Sequence, residues 1–271
     1  LNSGLGDVTT KNTPLLANAT EKLAAVANKN GTGIWVVAHE FGNHDFKAFL
    51  FTTSGLSNTV TSSVGINHAG NTLHRIGSMK ISPDGTKLAV AVYHSENKIE
   101  VLSFDNTTGS VTGSLKNYQL TLANDNPHGV SFSPNGKLLY VACWSLSGVQ
   151  GHVYQYDLAD VTNTPFPVAT GSSTATFGTM LLGPDNKIYI SRYSSSVVNV
   201  LDVINDPDII GSGCNYVASQ VNLSPGQSKG SLPNFVEGLD RSVTVSQDMT
   251  ICSGQTAILQ ASGCAHNLSW Y

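Results

Sequence analysis

Short apolar runs alternate with polar residues along most of this chain, and they come in pairs separated by a tight turn. Ile76-Gly-Ser-Met-Lys-Ile-Ser-Pro-Asp-Gly-Thr-Lys-Leu-Ala-Val-Ala-Val92 shows the pattern: a short apolar strand, a turn built on Pro and Asp-Gly, and a second apolar strand. Pro127-His-Gly-Val-Ser-Phe-Ser-Pro-Asn-Gly-Lys-Leu-Leu-Tyr-Val-Ala-Cys143 repeats it. Phe177-Gly-Thr-Met-Leu-Leu-Gly-Pro-Asp-Asn-Lys-Ile-Tyr-Ile-Ser-Arg-Tyr193 repeats it again. Pro83, Pro134 and Pro184 recur at intervals of 51 and 50 residues. A weaker first copy runs from Lys22 to His39, with Asn30-Gly31 in place of the Pro-Asp-Gly turn.

A further alternating strand follows each hairpin, at Phe46–Thr52, Ile99–Asp105, His152–Leu158 and Val198–Ile204, and Asn106-Thr-Thr-Gly109 turns the second of these into a fourth. Three or four strands per repeat of ~50 residues is the blade of a β-propeller, whose sheet buries its faces only against its neighbours. The fold class is all-β, a β-propeller with four to five blades visible in the sequence. Repeats lie near 21–73, 74–126, 127–176 and 177–222, within a propeller spanning 1–240. The ends Asn2–Pro14 and 223–239 are strand material for closing the ring. Period-2 alternation excludes helical solenoids, and only Leu15–Val26 admits a helical turn.

Composition narrows the setting. Charged residues are 12% of the chain and the net charge is −4, while Ser, Thr, Asn and Gly are abundant, which suits an extracellular β protein. No run of Lys or Arg could neutralise a phosphate backbone, so nucleic acid is excluded as a partner. No apolar run reaches the ~20 residues that span a bilayer as a helix. Cys252 and Cys264 lie close enough for a disulfide that closes a short loop. Spacing leaves open whether Cys143 and Cys214 pair, with a buried free thiol the favoured reading of Cys143.

The run Gly6-Asp-Val-Thr-Thr-Lys-Asn12, then Glu21-Lys-Leu, Gly33-Ile-Trp-Val-Val-Ala-His39, Ile76–Gly85, Gly129–Gly136 and Leu232-Pro-Asn-Phe235 resembles the propeller of large secreted Bacteroidota-type surface proteins. The resemblance implies a seven-bladed whole, a secreted or cell-surface protein, cargo of type IX secretion, and an adhesive or scaffolding role. In such proteins immunoglobulin-like β-sandwich modules follow the propeller. Residues 241–271 resemble the first strands of one, although a whole sandwich takes about seven strands.

Aligning the repeats on Ile34, Leu88, Leu139 and Ile188 brings His39, Tyr93, Trp144 and Tyr193 to one position, just past each second strand. The residues leading into the inner strands add Glu21, Arg75, His128 and Phe177. Together these would form an aromatic and imidazole-rich mouth for a protein or glycan ligand. The competing reading is that the rings pack blade against blade. His39-Glu40 with His44 and Asp45 does not form a metal motif, because His-x₄-His chelates from one face of a helix and this is a loop. Neither a cofactor nor a catalytic residue is expected. The alternative is a lactonase or glycan-cleaving propeller enzyme, since Pro127–Val141 is similar to a repeat of the propeller lactonases. Partners could also include components of an outer-membrane secretion or motility assembly.

Overall fold

Each hairpin turn is tied by the residue that opens it. Ser82 Oγ accepts the Lys87 N–H at 2.9 Å and donates to Asp84, and Ser133 Oγ accepts from Leu138 N–H at 3.0 Å and donates to Asn135. Gly85 and Gly136 then take φ of 70° and 66°, the left-handed region that a turn of this shape demands. The third copy has Gly183 in place of serine, and Asn186 takes the left-handed position at φ 60°. The serine closes the turn as much as the proline and glycine do.

The computed structural model describes residues 10–238 apart from 121, 123, 124, 146–148 and 173–174, together with the backbone of 244–245 and 261–262. It contains four consecutive four-stranded antiparallel blades. The first holds β1 (Ala19–Ala27), β2 (Ile34–Glu40), β3 (Asp45–Thr52) and β4 (Gly55–Ser63). The second holds β5 (Met79–Ile81), β6 (Lys87–Val92), β7 (Lys98–Asp105) and β8 (Ser110–Gln119). The third holds β9 (Asn126–Phe132), β10 (Leu138–Trp144), β11 (His152–Asp157) and β12 (Phe166–Thr170). The fourth holds β13 (Thr176–Leu182), β14 (Ile188–Tyr193), β15 (Val200–Ile204) and β16 (Tyr216–Asn222). The segment where the sequence admits a helical turn is instead strand from Ala19 onward, because Thr20, Lys22, Ala24 and Val26 bury every second side chain.

Three apolar clusters join the blades in series. Val26, Trp35, Val37 and Phe46 meet Met79, Leu88 and Val90 between the first two blades. Ile99, Val101 and Tyr118 meet Val130, Leu139 and Tyr156 at the next junction. Tyr140, Ala142 and Val153 meet Phe177, Met180 and Ile190 at the last. Among the described residues no such cluster joins the fourth blade to the first. These two are connected instead by a strap after β16. Its Gly230 carbonyl accepts the Thr179 N–H at 3.0 Å, Leu232 N–H donates to Thr179 Oγ1 at 2.6 Å, and Asn234 donates to the Leu23 carbonyl at 3.0 Å. The strap ends in β17 (Val236–Glu237), which pairs in parallel with β1 through Ala25↔Val236.

Of the end segments read as closing material, 223–239 contributes β17, and residues 10–14 are not in a strand. Beyond the strap, β18 (Thr244–Val245) and β19 (Ala261–Ser262) pair antiparallel. The Cys252–Cys264 pairing lies outside the described residues, as does most of 241–271. Cys143 and Cys214 are separate, buried free thiols.

Trp35 is 1% exposed at the first junction, and its indole N–H donates to the Asn106 carbonyl of the second blade at 3.0 Å. Trp35→Ala should therefore lower stability by about 3–5 kcal/mol, read from the denaturant midpoint. A loss below about 1 kcal/mol would mean the blades do not rely on this contact.

Candidate functional site

At the end of the blades opposite the turns, side chains of three adjacent blades form one column of rings. Tyr93 follows β6, His128 lies in β9, Trp144 ends β10 and Tyr193 ends β14. His128 meets Tyr93 edge-on at 6.3 Å between centroids, Trp144 lies 5.0 Å from His128, and Tyr193 stacks on Trp144 at 5.0 Å with 27° between planes. The column runs from a buried end, Tyr93 at 8% exposure, to an open end, Tyr193 at 42%. Burial lowers the His128 pKa to about 4, so its imidazole is neutral at pH 7 and packs as an aromatic ring.

Beside the column lies a cleft of about 270 Å³. Glu21, Ser78, His128, Thr179, Ser231 and Asn234 are the polar residues that line it. Glu21 Oε1 accepts the Gly77 N–H at 2.7 Å, fixing the carboxylate at the inner edge of the first two blades. Asn234 is held from both ends, donating to Leu23 O and accepting from Lys80 Nζ at 2.8 Å. The strap links cleft and column at Gly230, whose φ is 83° and where an added Cβ would lie 3.0 Å from the Trp144 ring and 3.1 Å from Tyr193. Only glycine fits that approach. At the turn end, a second cavity of about 430 Å³ is lined chiefly by Lys87, Lys137, Leu138, Leu158 and Ile210.

The structure thus brings Tyr93, His128, Trp144 and Tyr193 into one column, with Glu21 in the cleft that His128 also lines, and leaves His39, Arg75 and Phe177 out of both. Phe177 is 1% exposed and lies under the Arg192 guanidinium, 5.2 Å from its ring centroid. Asp202 holds that arginine at 2.7 Å, and burial of the pair is offset by this contact. Arg75 covers the Phe41 ring at 3.8 Å and bonds Asn18. The cause is register. Counting six residues back from each turn proline gives Gly77, His128 and Gly178, so Phe177 is one residue out of step and points to the opposite face of its strand.

His39 is fully buried rather than facing solvent, because the connection from β4 to β5 folds over it. His68 of that connection, 1% exposed, stacks on His39 at 3.8 Å between centroids, and Phe46 meets His39 edge-on at 4.5 Å. Neither His39 nitrogen, nor His68 Nδ1, has a hydrogen-bond partner. Below them Lys22, with no exposed surface, donates to the His74 and Ile76 carbonyls at 2.7 Å each. Burial brings the Lys22 pKa down to about 7. Glu100 completes the clasp by accepting the Ile66 N–H at 2.9 Å. His68 and Thr179 carry no sequence signal of a site, while Lys22 falls in the family-like Glu21-Lys-Leu and the strap in 223–239, read from the sequence as closing-strand material.

The loop acids do not converge. Glu40 pairs with Lys47 at 3.6 Å and Glu96 with Lys98 at 2.7 Å. Asp45 bonds Lys47 at 3.0 Å, and His44 turns to the Gly65 carbonyl. Asp125 is 1% exposed and accepts from His152 at 2.6 Å and Tyr154 at 2.5 Å, tying the connection before β9 to β11. Among the described residues no group of three His, Cys, Asp or Glu side chains could hold a metal ion.

No protein-family model matches the chain, and neither does any curated protein sequence. Solved structures do resemble it. A functionally unknown protein from Desulfotomaculum acetoxidans is 13% identical, with a TM-score of 0.45 over 70% of this chain and 53% of that one. Hydrazine synthase of Kuenenia stuttgartiensis is 14% identical, with a TM-score of 0.43 over 73% and 66%. The periplasmic gluconolactonase of Pseudomonas aeruginosa is 15% identical, with a TM-score of 0.40 over 66% and 52%. The chain therefore spans about half to two thirds of the length of these structures, and likeness at this level carries no activity across.

Burial lowers the His39 pKa to about 4 and that of His68 further still, from an ordinary value near 6.5. Such bases are held neutral in the fold, so the unfolded chain binds more protons as pH falls below 6.5. Their contribution is complete above that value and is lost toward pH 4, at roughly 1.4 kcal/mol per pH unit for each imidazole. Unfolding midpoints at pH 7, 5.5 and 4.5 should show this decline, and His68→Gln should make it shallower. An unchanged slope in the variant would refute the assignment.

Proposed function

We propose that this chain is a non-catalytic binding and scaffold propeller of a secreted or cell-surface protein, whose mouth takes a protein or glycan ligand. The observation that carries this reading is the ring column from Tyr93 to Tyr193, open at one end beside a polar cleft. Rings with one buried and one accessible end are a common means of binding through flat contact area, with polar groups fixing orientation. The wider setting rests on the sequence resemblance. It comprises a Bacteroidota-type surface protein exported by type IX secretion, a seven-bladed parent ring, immunoglobulin-like spacers and an adhesive role. Contact with an outer-membrane secretion or motility assembly belongs to the same setting.

The second reading is an enzyme of the lactonase or glycan-cleaving type acting at this same mouth. The observation in its favour is that the Glu21 carboxylate and the His128 imidazole line one cleft. Glycoside cleavage ordinarily uses two carboxylates, and the cleft is lined by one.

The two readings separate on different residues. Binding to immobilised glycan and peptide arrays should fall about tenfold or more in Trp144→Ala, with the circular dichroism spectrum retained. Turnover of aldonolactones or aryl glycosides that disappears in Glu21→Gln would instead establish the enzyme.

A further inference from the structure

Resting on the binding reading, we infer that the ligand of the mouth is an uncharged oligosaccharide, one sugar ring of which stacks on Tyr193. Trp144 stacks on the Tyr193 ring at 5.0 Å while the residue stays 42% exposed, so accessible surface remains on Tyr193 beyond the Trp144 contact. A fifth ring placed there continues the column, and the C–H face of a pyranose is flat, apolar and of the right size. The rest of the ligand then runs past Trp144 and His128, two further ring spacings of 5.0 Å each, to reach the cleft. That span calls for more than one sugar.

The cleft supplies what hydroxyls need. Glu21 accepts a backbone N–H through Oε1 alone, so Oε2 remains to receive sugar hydroxyls. Ser78 Oγ accepts the Val130 N–H and Thr179 Oγ1 accepts the Leu232 N–H, so each hydroxyl still has a proton to donate. Ser231 adds another hydroxyl at the rim. This is a set of donors and acceptors mixed at short range, matched to groups that both donate and accept.

The same lining argues against the alternatives. Its one acidic side chain is Glu21, no Lys or Arg lines it, and the net charge of the chain is −4. An anionic sugar would meet repulsion with no guanidinium or ammonium to answer it. A peptide would want an apolar pocket for an anchoring side chain. The apolar side chains here are Leu23 and Leu232, on the walls of a polar cleft.

The test is titration of the intact chain with neutral gluco- and mannotetraoses, with oligogalacturonates and a mixed peptide pool alongside. Neutral tetraoses should bind and quench Trp144. Tyr193→Ala should weaken them about tenfold. Glu21→Gln should weaken them and improve oligogalacturonate binding, while Val161→Ser, at a distant position 88% exposed, should change nothing. Peptide binding that depends on Trp144, with no neutral glycan bound, would overturn the inference and leave the mouth as a binding surface. Neutral glycan bound equally by wild type, Tyr193→Ala and Trp144→Ala would overturn both. Preference for oligogalacturonate in the wild type would overturn the assignment of an uncharged ligand.

Discussion

Everything in this fold follows from a sheet that has two apolar faces and, among the described residues, no α-helix to cover either. A blade such as the second, with Leu88 and Val90 turned one way and Ala89 and Ala91 the other, can be dry only between two other blades. Fully burying an aliphatic side chain is worth about 1.5–3 kcal/mol, so each junction outweighs any hydrogen bond in it. The repeat is thus a requirement of burial, and each strand's alternation is set by which neighbour each side chain faces.

The same constraint builds the mouth. Sheets packed face to face stand about 10 Å apart over most of their area. Blades converge toward the centre of a propeller, so residues at equivalent ends of neighbouring blades come within stacking distance. Trp144 and Tyr193 hold equivalent positions of adjacent blades and lie 5.0 Å apart, and His128 fits between Trp144 and Tyr93 because it lies on the inner strand of the middle blade. Packing blade against blade and leaving a ring accessible are therefore two ends of one column. Tyr93 serves mainly the first and Tyr193 the second.

The fold was legible because its signals are local and repeated. Period-2 alternation and the spaced prolines gave the hairpin strands and, within a residue or two, β3, β7, β11 and β15, while the outermost strands β4, β12 and β16 went unread. The ring column was legible where a residue held a fixed offset from a turn, as Trp144 and Tyr193 do. It was lost where that offset slipped by one, since Phe177 then faces the opposite way and is buried under Arg192. It was lost again where a distant segment decides exposure. Nothing in Gly33–His39 reveals that His68 will lie on His39, because that contact depends on how the connection between blades folds back.

The strap shows what repeat logic cannot supply. The sequence marks 223–239 only as strand material, and although β17 extends the first blade's sheet beside β1, the strap has no repeat-mates to reveal its path. Its course is fixed by polar groups left over at the inner strands: the Thr179 amide and hydroxyl, the Leu23 carbonyl and the Lys80 ammonium. Lys80 is only 5% exposed, so its charge needs the Asn234 carbonyl as the strap needs its anchor. The segment that satisfies these buried groups also forms one wall of the cleft and sets Gly230 against the ring column. The shape of the mouth is therefore decided by hydrogen-bond demand inside the propeller: its wall is a surface that the fold already had to build.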